Sequence, residues 1–182
     1  MYNFKMELEA MLPLKMNKHP GIMTRKAGKP KSEEDLLKDA EPMIYRDPKG
    51  QISVESKALK ACGARGAAMM KVSKRSFRQE FRGQIRFNDL FFPLLDEKNK
   101  PYSKPTGYHR DLVRQPPRTG VLVPKIWPYF DKWRLAPNGY VIDDEISIDI
   151  LKEAFVIGGK VFGLLDGRPD WGLFTVKKIE KI

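Results

Sequence analysis

The sequence has one cysteine, Cys62, and two histidines, His19 and His109, among its 182 residues. A single thiol excludes an internal disulfide framework and any multi-cysteine zinc site. Cys62 stands among alanines in a predicted helix, where a free cysteine packs as a small hydrophobe. The two histidines are far apart, with no nearby nucleophile or metal-ligand spacing to organise them. No apolar run reaches the ~18 residues of a membrane span. Lys5, Glu7 and Glu9 interrupt the basic-then-apolar form of a secretion signal, so the expected location is the cytoplasm. Gly158, Gly159, Gly163 and Gly167 have the wrong spacing for a dinucleotide fingerprint, and no NTPase phosphate loop is present. The only tight acidic triplet, Asp143, Asp144 and Glu145, reads more readily as turn and capping residues than as a metal site. These absences leave no cofactor, metal or catalytic group to assign, and the expectation is a protein that is not an enzyme.

What the chain has is positive charge. Lysine and arginine number 34 against 23 acids, giving a formal charge of +11 and a pI near 9.7. Charge of that sign favours a polyanionic partner: RNA, DNA or an anionic membrane surface. The 41% hydrophobic content is that of a folded chain rather than one disordered throughout.

Along the chain, residues 2–14 alternate Phe4, Met6, Leu8 and Ala10 against Lys5, Glu7 and Glu9, a period of two that predicts a half-buried strand bent at Pro13. Residues 17–49 lose the pattern, except that Ser32 is placed to cap a short helix with Glu33, Glu34 and Asp35 in its first turn. Residues 43–54 read as strand, turn at Asp47-Pro48-Lys49-Gly50, and extended chain. Residues 53–71 predict a helix in which Gly63 and Gly66 cost about 1 kcal/mol each relative to alanine. Close approach of another backbone would offset that cost. Residues 85–119 look irregular. Strands are predicted at 121–126, 129–135 and 140–146, then a helix capped by Ser147 with Leu151 and Phe155 on its apolar face, and a last strand at 171–179. The order fits an α+β fold with a split β-α-β core of the ferredoxin or RNA-recognition type. We read one domain spanning 1–182, its core at 1–16, 43–84 and 120–182, with projecting insertions at about 17–42 and 85–119.

Two basic stretches carry the chemistry. Lys71, Lys74, Arg75, Arg78, Arg82 and Arg86 fall within sixteen residues, opposed only by Glu80 and interleaved with Phe77, Phe81 and Phe87. Arginine forks pair with phosphate oxygens and aromatic rings stack on bases, so the mixture suits a single strand with exposed bases. The competing reading is a solvated helix end whose phenylalanines are core. The second stretch holds Lys98, Lys100, Lys104, Arg110, Arg114, Arg118 and Lys125, with Tyr102 and Tyr108 among them. A long loop is costly to order without a ligand or partner to hold it.

Three segments resemble the RAMP superfamily. Residues 4–17 are similar to its opening strand, which runs into a proline-leucine segment, here Leu12-Pro13-Leu14. Residues 51–60, Gln51 through Lys60, look like its extended approach to the first helix. Gly158-Gly159-Lys160 to Gly163, with Gly167 through Val176, is similar to its glycine-rich segment before the last strand. This last segment is especially close to phage and prophage proteins related to CRISPR effector backbone subunits. The turn before the helix departs from the family, with Val54-Glu55 in place of its usual proline-glycine. The resemblance implies an RNA-recognition-like core with a projecting thumb, in a prokaryotic host cell and with a link to antiviral defence. It also implies head-to-tail subunits, or assembly with related effector subunits, along guide RNA or another single strand. Lys57 and Lys60 would then be backbone contacts, and the segment near Arg168 would lie close to the strand.

The expected function is therefore non-enzymatic binding of single-stranded RNA or DNA through its backbone, with contacts from Lys57, Lys60, Lys71, Lys74, Arg75, Arg78, Arg82 and Arg86, the loop bases Arg110, Arg114 and Arg118, and Arg168. Bases would stack on Phe77, Phe81 or Tyr108. Two alternatives stand beside it: a phage-encoded interaction protein that mimics or blocks a host nucleic-acid complex or belongs to a virion, and a metal-independent ribonuclease using His19 or His109 as base.

Overall fold

A computed structural model describes residues 1–18, 32–70, 77–115, 120–143 and 145–182. Tyr2–Ala10 is strand β1, with Tyr2, Phe4, Met6 and Leu8 buried and Asn3, Lys5 and Glu7 exposed. The chain turns through Pro13 into β2, Leu14–Lys15. Helix α1, Glu33–Ala40, is closed at its start by a capping box between Ser32 and Asp35, and a 3-10 turn, Glu41–Met43, continues it. Strand β3, Ser53–Glu55, leads into α2, Ser56–Met69. Helix α3, Phe77–Gln84, runs directly into β4, Ile85–Phe87, and β5, Phe91–Pro93, follows. Two long strands come next, β6, Gly107–Gln115, and β7, Val121–Phe130. After β8, Arg134–Leu135, and β9, Asn138–Val141, helix α4, Ile148–Ile157, starts at a Ser147 cap. It ends in a π-helical turn, Gly158–Phe162, before the last strand β10, Phe174–Lys181.

The central sheet is antiparallel in the order β10-β1-β9-β4, with β8 also paired to β1. Helices α2 and α3 connect β1 to β4, and α4 connects β9 to β10, so each helical crossover joins strands separated by one other strand. That is the split β-α-β plan of the ferredoxin-like fold, and the α+β reading of the sequence holds. Phe4, Met6 and Leu8 face the helices, and the core gathers Phe81, Phe155 and Phe174 above them, all with no exposed surface. Ring pairs lock the layer, Phe81 to Phe155 at 6.1 Å and Phe87 to Phe155 at 6.4 Å.

The glycines of α2 have the close approach they need. A Cβ at Gly66 would lie 1.9 Å from the Ala154 carbonyl oxygen, and one at Gly63 would lie 2.8 Å from the Phe155 ring. Gly158 meets the Cys62 carbonyl in the same way, at 2.7 Å. Helices α2 and α4 therefore cross with backbones touching.

The structure differs from the sequence reading in several places. Residues 85–119 are not irregular: β4 belongs to the central sheet, β5 pairs with β3, and β6 forms a long hairpin with β7 from Gly107↔Tyr129 to Gln115↔Val121. Along β6 both faces carry polar or charged residues, so the period of two leaves no contrast in hydropathy. Residues 121–130 form one strand that accommodates Pro124 and Pro128 rather than two strands. Helix α2 begins at Ser56 because residues 53–55 pair with β5. The last strand begins at Phe174, since Gly172 takes a φ of +74° that an extended ladder does not allow. Strand β9 ends at Val141.

Two glycine substitutions separate packing from propensity. We expect Gly66→Ala to lower stability by about 1–3 kcal/mol, because the backbone it meets has no room to move. Gly83→Ala in α3 has nothing within 4 Å of its added methyl and is expected to raise stability by about 0.5–1 kcal/mol. Thermal or urea unfolding of the two variants beside the parent checks both signs.

Candidate nucleic-acid interface

The sheet surface away from the helices is charged but internally matched. Glu9 joins Arg134 at 2.7 Å and Lys177 at 2.8 Å, and Lys178 joins Glu180 at 2.8 Å. Hydrogen bonds from Lys177 and Arg134 hold the Glu9 carboxyl below the usual carboxylate range. Lys5 stands opposite Glu180 across the β1–β10 ladder. Each anion on this face offsets a cation, so the surface offers little net charge to a phosphate chain.

The helical side is different. Lys57, Lys60 and Arg65 project from α2, Arg78 and Arg82 from α3, Arg86 from the edge strand β4, and Arg168 from the loop between the π-helical turn and β10. Burial first, then the charges of Arg86 and Arg82, pulls the Lys60 ammonium below the ordinary lysine value. Burial likewise lowers the Arg65 guanidinium, followed by the charges of Arg168 and Arg78. Two trios of like charge thus feel one another: Lys60 with Arg82 and Arg86, and Arg65 with Arg78 and Arg168. Among the described residues none of Lys60, Arg65, Arg78, Arg82 and Arg168 has a carboxylate partner. Like charges held together without counter-charges raise the local potential and invite an anion. Arg86 folds back and donates to the carbonyls of Ile85, at 3.1 Å, and Arg82, at 3.4 Å, closing the end of α3. Lys57 is largely exposed and bonded to the Glu55 carboxylate, which raises its pKa.

Arg65 and Arg168 line an open cleft of about 510 Å³ together with Val161, Phe162, Leu165 and Asp166. Its floor is the loop that begins at Gly163, whose φ is +68°. Backbone hydrogen bonds fix this loop: Leu164 N–H donates to Gly172 at 2.9 Å, Gly172 N–H to Pro13 at 2.8 Å, and Asp166 N–H to Lys15 at 3.3 Å. The cleft is therefore preformed, and its two guanidiniums come from elements far apart in sequence.

Several expected site residues fall elsewhere. Phe77 is buried, edge-on to Phe81 at 6.1 Å, and Phe81 has no exposed surface. Their spacing of four puts both rings on the α3 face that meets Gly63 and Phe155, so neither is available to stack on a base. Tyr108, Arg110 and Arg114 alternate on the exposed face of the β6–β7 hairpin, with Arg114 donating to the Gly120 carbonyl at 3.2 Å. Burial, then Glu41, raises the Tyr108 phenol. They form a second basic strip, on a different element from the helix cluster. Lys71, Lys74, Arg75 and Arg118 lie outside the described residues, as does His19. His109 stacks on Trp127, 5.9 Å between ring centres and 27° between planes, with no hydrogen-bond partner among the described residues. Asp143 accepts from the Glu145 backbone at 3.0 Å as a turn residue ahead of α4.

Arg65 was missed in the sequence reading. The signal was there in the recurrence of Lys57, Ala61 and Arg65 every fourth residue, which sets them on one side of α2. What hid it was distance, since its partner Arg168 is a hundred residues away.

No protein-family model matches the sequence, and no curated protein does. Among solved structures, the chain is similar to one in the cryo-EM structure of a Type III-B Cmr-beta bound to cognate target RNA. The TM-score is 0.55 at 15% sequence identity, over 100% of this chain and 60% of that one. This chain thus spans about three fifths of the length of its structural neighbour. The likeness is one of fold, and it agrees with the RAMP-like architecture read from the sequence.

Cys62 lies beneath this surface. Burial pushes its thiol up to about 12, against a lesser opposing pull from Arg168 and Arg65. At pH 8 about one thiol in ten thousand is then ionised. We expect iodoacetamide to leave the folded protein unmodified at that pH and to label it fully in guanidinium, as mass spectrometry would show.

Proposed function

We propose that the chain binds the sugar-phosphate backbone of a single-stranded nucleic acid, RNA foremost, along the α2–α3 face and the Arg65–Arg168 cleft. The observation that carries this reading is the set of Lys60, Arg65, Arg78, Arg82 and Arg168, gathered there with no carboxylate at ion-pair distance among the described residues, on a molecule whose opposite face is neutralised by ion pairs. Phosphates satisfy both needs of such a cluster, charge and forked hydrogen bonds. The role is binding rather than cleavage. The fold it shares with a chain of an RNA-bound Cmr-beta makes RNA the first ligand to try.

Assembly with further subunits, head to tail along the strand, is part of the same proposal. The β6–β7 hairpin leaves Leu112, Val121 and Leu122 more than half exposed beside Arg110 and Arg114. Apolar side chains on a charged projection suit a protein neighbour. A phage-encoded mimic of a host complex would use the same projection, and would bind its protein partner without free nucleic acid.

Fluorescence anisotropy with labelled single-stranded RNA, single-stranded DNA and duplex, run at several salt concentrations beside light scattering, tests this. Six phosphate contacts predict a log–log salt slope of about −4 for a single strand. Arg65→Ala with Arg168→Ala is expected to make it shallower by about 1.4 and to weaken binding. Lys178→Ala, on the ion-paired face, should leave it unchanged. Absence of binding near physiological salt, or a slope indifferent to Arg65 and Arg168, contradicts the proposal. A ribonuclease would lose cleavage in His109→Ala, and we expect no cleavage to lose.

A further inference from the structure

At the root of the hairpin, Lys15 is buried, and it has no counter-ion among the described residues. Leu14 faces the core, and alternation along β2 turns Lys15 to the other side, where it is only 8% exposed. Pairing of Lys15 with Tyr129, and of His109 with Trp127, brings these four onto one face of the small sheet. Trp171 covers them from the glycine-rich loop. The Lys15 ammonium lies 4.8 Å from the Trp127 ring centre and 5.0 Å from that of Trp171. Lys125 approaches Trp127 from beyond, at 5.1 Å, while donating to Asn17 at 3.2 Å.

Two donors at this place lack a protein acceptor among the described residues, and one of them, Trp127 Nε1, is fully enclosed. Among the described residues Lys15 has no carboxylate or other side-chain acceptor, and the buried Trp127 Nε1 has no hydrogen-bond partner. Buried donors are ordinarily satisfied. Indole faces offset part of the cost of burying an ammonium, but they give the Trp127 N–H no acceptor. One oxyanion would satisfy both. The His109 and Trp171 rings beside it are half-exposed and in contact with each other, 5.0 Å between centres and tilted by 55°, so a base would pack on their open side and not between them. Gly167 joins this notch to the cleft: it lines the cleft, and a Cβ there would lie 2.8 Å from Lys15 Nζ.

We propose that the notch takes one nucleotide unit: a phosphate oxygen accepts from Lys15 Nζ and Trp127 Nε1, and the attached base stacks against His109 and Trp171. This rests on the backbone-binding reading and adds a place where that strand is held by both phosphate and base.

The probes are adenosine 5′-monophosphate, adenosine and inorganic phosphate, followed by the indole N–H resonances of the parent protein, with Trp127 assigned through Trp127→Phe. Phosphate and the nucleotide should both move the Trp127 N–H downfield, and only the nucleotide should also move Trp171 and quench tryptophan fluorescence. Adenosine, lacking the charged acceptor, should bind about tenfold more weakly. Lys15→Met keeps the apolar stem and should weaken nucleotide binding about tenfold, while affinity for single-stranded RNA falls less than in the Arg65/Arg168 double variant. If Lys15→Met does not fold, the resonances of the parent decide. A Trp127 N–H unmoved at about 10 mM nucleotide, well above a ~1 mM dissociation constant, overturns the site. If single-stranded RNA still binds in that case, only the notch falls. If RNA fails as well, the broader reading falls with it.

Discussion

Where α2 crosses α4, the two backbones meet through Gly66 and Gly158, with Gly63 leaving room for the Phe155 and Phe81 rings, and no side chain larger than hydrogen fits at these positions. The position of everything above the sheet follows from that contact. It sets α2 low enough for Phe81 and Phe155 to close the core over Gly63. It also puts Arg65, beside Gly66, against the turn where α4 ends. The π-helical geometry there lets Gly159 pass the Phe174 carbonyl, where a Cβ would come within 2.5 Å. The glycine-rich loop then leaves at a fixed angle and carries Arg168 to face Arg65. A glycine pattern that costs helix propensity is thus what assembles two guanidiniums from distant parts of the chain.

Charge is sorted by face on this framework. The strands that form the sheet bring Glu7, Glu9 and Glu180 among Lys5, Arg134, Lys177 and Lys178, and three ion pairs tie that surface together. Helices α2 and α3 have few acids, and their cations shift one another instead. The aromatic rings are sorted as well. Phenylalanines of the first basic stretch belong to the core, while Trp127, Trp171 and His109 collect at the hairpin root around Lys15. Cation and ring do meet in this protein, but at a different place from the stretch where the sequence interleaves them.

The central fold was legible because its signals are local and large. The alternation of β1, the Ser32 and Ser147 caps and the small-residue face of α2 each state one element, and together they imply the β-α-β order. The hairpin was not legible, because neither face of β6 is uniformly apolar and burial therefore leaves no period in the sequence. Basic residues were legible as a class, and Lys60, Arg78, Arg82, Arg86 and Arg168 lie on the helical side of the molecule. Which cations come together was not: Arg65 and Lys15 acquire their neighbours through tertiary contacts with residues 168, 127 and 171. Phe77 shows the opposite error, a ring read as a stacking platform because arginines flank it, although spacing of four with Phe81 marks a core face.

The central claim is that a strand lies on the helical face and not on the open sheet. Photo-crosslinking of single-stranded RNA containing 4-thiouridine, with the modified peptides mapped by mass spectrometry, tests it most directly. The account predicts crosslinks in residues 57–86 and 161–171. Crosslinks concentrated in residues 2–9 and 174–181 would contradict it.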